Sequence, residues 1–247
     1  ALKMGNKLWG KDANGDGVID PKNSKEHVSD GWLQYYGYRS AQVASIANSI
    51  FTGTANDRLD MVLASHTTAN SASIVKGIEK AGAGSVSKLF DQYTVNAYFA
   101  NFGTGTKADI ETLLSWARSG EAGLAAAFAE LRGAKLLSKS VSIPGVLASF
   151  AKHKAVADSY GLELVAYEGG ASMTSADAAA NVRGELNTFY SQVLNDPRMA
   201  KVYQDLVAGL DALGVTEFNP FNDASAAKSI YGQWGALENI YQSGSVR

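Results

Sequence analysis

Apolar residues recur along the chain in two rhythms. Four short runs, RLDMVLAS (58–65), QYTVNAYF (92–99), LELVAYE (162–168) and GVTEFNPF (214–221), are β-branched or aromatic and bounded by polar or glycine-rich residues, which predicts strands. Between them the period lengthens. Val43, Ile46, Ala47 and Ile50 follow the i, i+3, i+4, i+7 rule behind Ser40 as N-cap, and Ile110, Leu113, Leu114 and Ala117 repeat it. Met199, Val202, Tyr203, Leu206, Leu210 and Leu213 form the clearest helical stripe, with Asp196 as cap and Pro197 at the first helical position. Strand then helix, repeated, predicts an α/β fold with a parallel sheet and helices outside it. The nearly unbroken apolar character of the strands predicts burial on both faces, as in a barrel or a doubly wound sheet.

An eight-stranded β/α barrel takes about 250 residues, and the chain has 247, yet only four runs read as strands. The rest goes into helix, chiefly across 104–160. The Gly- and Ala-rich centre of that stretch, SGEAGLAAAFAELRGAKL, predicts an inserted helical hairpin or lid without a chemical motif. The organisation expected is an N-terminal segment (1–30) followed by one partial barrel domain (31–247). There is no internal repeat and no low-complexity tail.

Composition narrows the function classes. Twenty-two basic against 24 acidic side chains, a net charge of −2, leave no electrostatic footprint for nucleic acid, and no Lys/Arg block marks a membrane surface. No apolar run approaches the roughly 18 residues of a membrane span. The absence of cysteine excludes disulfides and thiolate metal sites. ALKMGNKLWGKD has no signal-peptide core, and the first Met is residue 4, so a processed or truncated chain is expected.

Two stretches carry candidate chemistry. DANGDGVIDPKN (12–23) follows most of the twelve-residue EF-hand loop: Asp12, Asn14, Asp16 and Asp20 stand at positions 1, 3, 5 and 9, Gly17 at 6, and Val18 offers its carbonyl at 7. Ca²⁺ takes six to eight hard oxygens, and alternate residues of a tight turn aim them inward. Position 12 is Asn23 where a bidentate Glu is usual, so weaker binding or a ligand from elsewhere is expected. The competing reading is an Asx-rich surface turn without metal. Trp9 to Lys11 before the loop and Pro21 within it do not frame the helix pair of a sensor EF-hand. The loop is similar instead to the structural calcium loops of dockerins and bacterial exoproteins.

The second stretch is LELVAYEGG (162–170). A carboxylate at the end of a buried strand is either a reagent or a loop-capping acid. The C-terminal ends of parallel strands face the crevice where α/β proteins do chemistry. On that rule one rim collects His66, Tyr98, Glu168 and, after the last strand, Asn222 and Asp223. Gly169 and Gly170 are read as a sharp turn that leaves space for a ligand. Trp234 and Trp32 are candidates for stacking on pyranose faces, although Trp234, at an Ala/Gly-rich helix start, also reads as core. His27 and His153 receive no role.

YGYRSAQVASI, MVLASHTTAN, NAYF, LELVAYEGG, NDPRM and FNDASAAKSIYGQWGALE occur in an order, over roughly 31–241, that resembles the C-terminal part of bacterial secreted proteins of the glycoside-hydrolase type, often described as cellulose-binding. The resemblance implies a (β/α)₈ barrel of the retaining clan, with the nucleophile ending strand seven, which carries onto Glu168, and Tyr98 orienting it. His66, Asn222, Asp223 and Trp234 would then bind substrate. The acid/base Glu of such barrels sits in a motif like NEVWN that this sequence lacks. The four strands would be five to eight of the barrel, and a second chain or segment would supply the first half, covering two otherwise unpaired edges. The expectation is a secreted or cell-surface protein that cleaves or binds a polysaccharide and carries Ca²⁺. The alternatives are a non-catalytic carbohydrate binder and an extracellular structural or surface-layer protein.

Overall fold

The computed structural model describes residues 2–241 except 21, 24, 27, 29, 54–57, 103–105, 227–228 and 238, so Pro21, His27, Thr104 and Glu238 lie outside the described residues. The elements run α1 (Leu2–Trp9), α2 (Gly31–Ile50), β1 (Val62–Ala64), α3 (Ser71–Ala81), α4 (Val86–Leu89), β2 (Gln92–Phe102), α5 (Lys107–Arg118), α6 (Glu121–Leu131), α7 (Ile143–Ser159), β3 (Glu163–Met173), α8 (Ala180–Leu194), α9 (Arg198–Ala212), β4 (Phe218–Pro220), β5 (Asn222–Ala224) and β6 (Gly235–Leu237). The fold is α/β: a parallel four-stranded sheet of order β1-β2-β3-β4, with helices between its strands, and a two-stranded sheet of β5 and β6. Two compact units share the chain, Ala1–Val95 with His153–Val165, and Asn96–Lys152 with Ala166–Arg247.

In the first unit β1 pairs with β2 in parallel, Leu63 opposite Tyr93, and α2 packs along α3. Glycine permits that packing: a Cβ on Gly37 would enter the backbone of Ile74, and one on Gly77 the backbone of Gln34. The buried side of α2 is therefore made mostly of small residues, Gly31, Gly37, Ala41 and Ala44, with two larger ones, Leu33 and Gln34. This overturns the predicted face. The helix begins at Gly31, well before Ser40, and Val43, Ile46 and Ile50 are 55%, 61% and 68% exposed. Close backbone approach selects small residues, so the larger apolar stripe is left on the outer side.

The second unit buries Phe99, Phe102, Phe128, Leu131, Phe189, Tyr190, Met199, Val202, Leu206 and Leu210. The α9 stripe is buried as its periodicity predicts, although the helix starts at Arg198, with Pro197 at the N-cap and Asp196 Oδ1 accepting from the Arg198 N–H at 2.9 Å. In the Gly/Ala-rich stretch α5 and α6 pack on one another and on α8. A Cβ on Gly123 would enter the backbone of Trp116.

Candidate functional site

Glu168 is not at a strand tip. β3 continues to Met173, with a register shift against β4 between Ala166 and Gly169. The glycines serve proximity more than turning. A Cβ on Gly169 would stand 2.7 Å from the Ala97 carbonyl oxygen and from the Phe218 ring, and Gly170, at φ 138°, leaves room for the Tyr203 hydroxyl, which accepts from the Ala171 N–H at 3.2 Å. Likewise Tyr98 lies inside β2, which runs on to Phe102 through left-handed φ values at Ala100 (74°) and Asn101 (40°). The Ala100 N–H donates to the Val141 carbonyl at 2.7 Å, which holds this bend.

The second unit brings Tyr98 and Glu168 together, close enough for the carboxyl group to act on the phenol. Burial first, and then the negative charge of Glu168, push the Tyr98 hydroxyl well above its ordinary range, so it stays a donor at any physiological pH. Around it stand two more rings. Trp234 lies 5.3 Å from Tyr98 and 5.5 Å from Phe221, both edge to face, and Phe221 is 6.0 Å from Tyr98. Such contacts lock ring orientations. Trp234 does not open a helix; it lies in irregular chain just before β6, its Nε1 donating to the Tyr231 carbonyl at 3.0 Å.

Asn222 and Asp223 are exposed in β5, and the Asn222–Gly235 register puts Asn222 beside the residue after Trp234. His66 belongs to the first unit, exposed in the loop after β1, where its Nδ1 accepts from the Thr68 N–H at 3.3 Å. Trp32 stands on the outer side of α2, 47% exposed.

The Asp12 loop lies between two helices, α1 and α2, although α2 starts only at Gly31. Asp12 takes the N–H groups of Gly15 (2.7 Å) and Gly17 (2.8 Å) on its two oxygens, and Asn14 and Asp16 accept from the N–H groups of Asp16 and Val18. The Gly17 hydrogen bond is the chief reason the Asp12 carboxyl titrates below its usual range. Glu26, 1% exposed, ties the far end: its oxygens accept from the Asp20 N–H at 2.9 Å and the Asn23 side-chain amide at 2.7 Å. No cation pairs with it among the described residues. Asp12, Asn14, Asp16, Asp20 and the Val18 carbonyl are oxygen donors of the type Ca²⁺ takes, but among the described residues no group of three or more His, Asp or Glu side chains is gathered as a metal site.

Three buried polar features lie outside these predicted positions. Tyr93 donates to His153 Nδ1 at 3.1 Å, and His153 Nε2 donates to the Thr67 carbonyl at 2.9 Å, pinning the loop after β1. Asp109 caps α5 and accepts from Thr106 and from the Ser138 N–H at 2.7 Å; burial raises its carboxyl, but the Ser138 and Thr106 hydrogen bonds outweigh it and hold the group at about 2. Glu130 is buried under Leu136 and Ser140, which donate to its two oxygens. The S/T-x-x-D pattern of Thr106 and Asp109 was the one available signal, since it marks a capping box.

No family model, curated protein or solved structure matches the chain.

Proposed function

We propose that this chain is a polysaccharide-directed protein of the retaining-glycosidase type, with Glu168 as nucleophile and the Tyr98–Glu168–Trp234 group as its sugar site. The observation that carries it is the nearness of the Tyr98 hydroxyl to the Glu168 carboxyl group beside the Trp234 and Phe221 rings. A carboxylate oriented by a neutral phenol is presented as an oxygen nucleophile, and aromatic rings match the C–H faces of pyranoses. In the reaction a Glu168 oxygen bonds to the anomeric carbon as the glycosidic C–O bond breaks. A second carboxyl gives the leaving oxygen its proton and then takes one from the water that hydrolyses the ester. That acid/base is assigned to a second chain or segment.

The parallel order β1-β2-β3-β4 supports reading these strands as five to eight of a (β/α)₈ barrel. β1 ends the sheet, and Trp32, Val43, Ile46 and Ile50 leave α2 with an exposed apolar stripe, so this is where the other half docks. Asn222 and Asp223 take sugar hydroxyls. Ca²⁺ stiffens the loop, held by Asp12, Asn14, Asp16, Asp20 and the Val18 carbonyl, and the buried Glu26 adds the carboxylate that Asn23 does not. The same aromatic wall suits a secreted or cell-surface protein that binds glycan without cleaving it.

Glu168→Gln separates the two. Assayed on aryl β-glycosides and on cellohexaose in the assembled protein, with the second chain or segment that supplies the acid/base present, the substitution keeps binding and lowers turnover by about a thousandfold or more. Undiminished turnover overturns the nucleophile assignment, and wild-type binding without turnover selects the non-catalytic form.

A further inference from the structure

DANGDGVID holds the one Asn-Gly pair of the sequence, Asn14 and Gly15, in the exposed loop between α1 and α2. The backbone nitrogen that follows an asparagine can close on its side-chain amide carbon to form a five-membered imide, a reaction that needs no second molecule to start. A β-carbon on the following residue crowds that closure, and glycine has none. Gly15 stands at φ 77°, and nothing lies within 4 Å of where a Cβ would be.

The groups around the pair are those the reaction uses. Asp12 Oδ1 accepts from the Gly15 N–H at 2.7 Å, the reach of a general base. The Asp12 carboxyl titrates below its usual range, chiefly through the Gly17 N–H, so it is ionised at neutral pH. The Asp16 N–H donates to Asn14 Oδ1 at 3.0 Å, where negative charge develops when the amide carbon is attacked. Asp16 Oδ2 accepts from Asn14 Nδ2 at 2.9 Å, which fixes the orientation of the amide. Asn48 is placed differently: it lies inside α2, where the helix holds the next N–H.

We propose that Asn14 is a self-modifying site, its amide converted to a carboxylate through a cyclic imide, with Asp12 as the base on the Gly15 nitrogen and the Asp16 N–H holding the oxyanion. Gly15 N bonds to Asn14 Cγ as its proton passes to Asp12. The Cγ–Nδ2 bond then breaks, and the nitrogen leaves as ammonia with the proton that Asp12 returns. Water opens the imide at either carbonyl, leaving an aspartyl or an isoaspartyl linkage at position 14. Both products add one negative charge to the loop, and the isoaspartyl form also lengthens its backbone by one atom. This goes beyond the sugar site and rests neither on it nor on a metal.

The test incubates the whole chain at neutral pH and physiological temperature with a chelator present, so that its outcome is separate from calcium binding. Peptide mass spectrometry reads the amide-to-acid mass gain, and isoaspartyl methyltransferase labels the isoaspartyl product. Asn14 is modified ahead of every other asparagine. Asp12→Asn, which keeps an acceptor but not the base, slows the reaction by about tenfold or more, and Gly15→Ala slows it as well. An unmodified Asn14, modification no faster than at Asn48, or a rate unchanged or raised in Asp12→Asn overturns the proposal. The first two are read on the wild type and need no variant to fold.

Discussion

Tyr98 stands close to Glu168, and burial and the neighbouring charge keep its phenol neutral. Tyr98→Phe removes the donor while keeping the ring, and a loss of about 1–3 kcal/mol of transition-state or glycan-binding free energy is expected, read from kcat/KM or from a titration. The phenol also has a pH signature. Its folded-state value is raised, so its contribution to stability is complete below the ordinary tyrosine range near 10 and declines as pH rises above it. Denaturant midpoints at pH 9 and 11 should therefore fall further for the wild type than for Tyr98→Phe. Asp109 has the opposite sign. Its carboxyl, held at about 2 against an ordinary 3.8, stabilises the fold above pH 4, and that contribution is lost as pH falls towards 2. Asp109→Ala, which leaves the Ser138 and Thr106 donors without their acceptor, should cost about 2–3 kcal/mol at neutral pH by chemical denaturation. The nearness of Tyr98 and Glu168 was expected from the sequence, although neither residue ends its strand as expected. His153, Asp109 and Glu130 were not, because a burial that turns a polar side chain into a structural tie comes from residues far away in sequence, such as Thr67 for His153.

At the scale of elements, α2 and α9 show what periodicity does and does not reveal. Both carry apolar stripes at helical spacing. In α9 the stripe is the buried face, with Met199, Val202, Leu206 and Leu210 in the core. In α2 contact is made through Gly37 against Ile74, a distance only a residue without a side chain permits, and the stripe of Val43, Ile46 and Ile50 is left outside. Hydrophobic spacing identifies a face but not which neighbour comes closest; that depends on the small residues between. Gly37→Ala should consequently destabilise the protein by about 3 kcal/mol or more, since backbone must move to admit the methyl group, whereas Ile46→Lys should change monomer stability by only about 0.5 kcal/mol. Urea denaturation of both variants checks the contrast. The four predicted strands are present as β1 to β4, but β2 and β3 run past their predicted ends at Phe99 and Glu168 to Phe102 and Met173, and β5 and β6 were not predicted. Asn and Gly residues that read as stops are here accommodated by a left-handed bend at Ala100 and Asn101 and by a bulge before Gly169.

For the whole molecule, the parallel order of the sheet was legible from alternating strand and helix patterns, while the division into two units was not, because each unit is assembled from two separated stretches of chain. Calcium and a partner are the proposals that belong at this scale. Ca²⁺ at about a hundred times its Kd should add about 2.7 kcal/mol to stability, an increment that Asp12→Ala removes and a chelator reverses; a melting temperature indifferent to Ca²⁺ would remove the loop from the metal-binding reading. Ile46→Lys should also weaken association with whatever supplies the other barrel half, which sedimentation of the mixed components would register. The most direct measurement for the account as a whole is a titration of cellohexaose into the wild type, Trp234→Ala and Tyr98→Phe proteins. Saturable binding to the wild type that weakens at least tenfold in Trp234→Ala, and measurably in Tyr98→Phe, is the predicted result. Binding that both substitutions leave unchanged would contradict the assignment of the Tyr98–Glu168–Trp234 group as the sugar site.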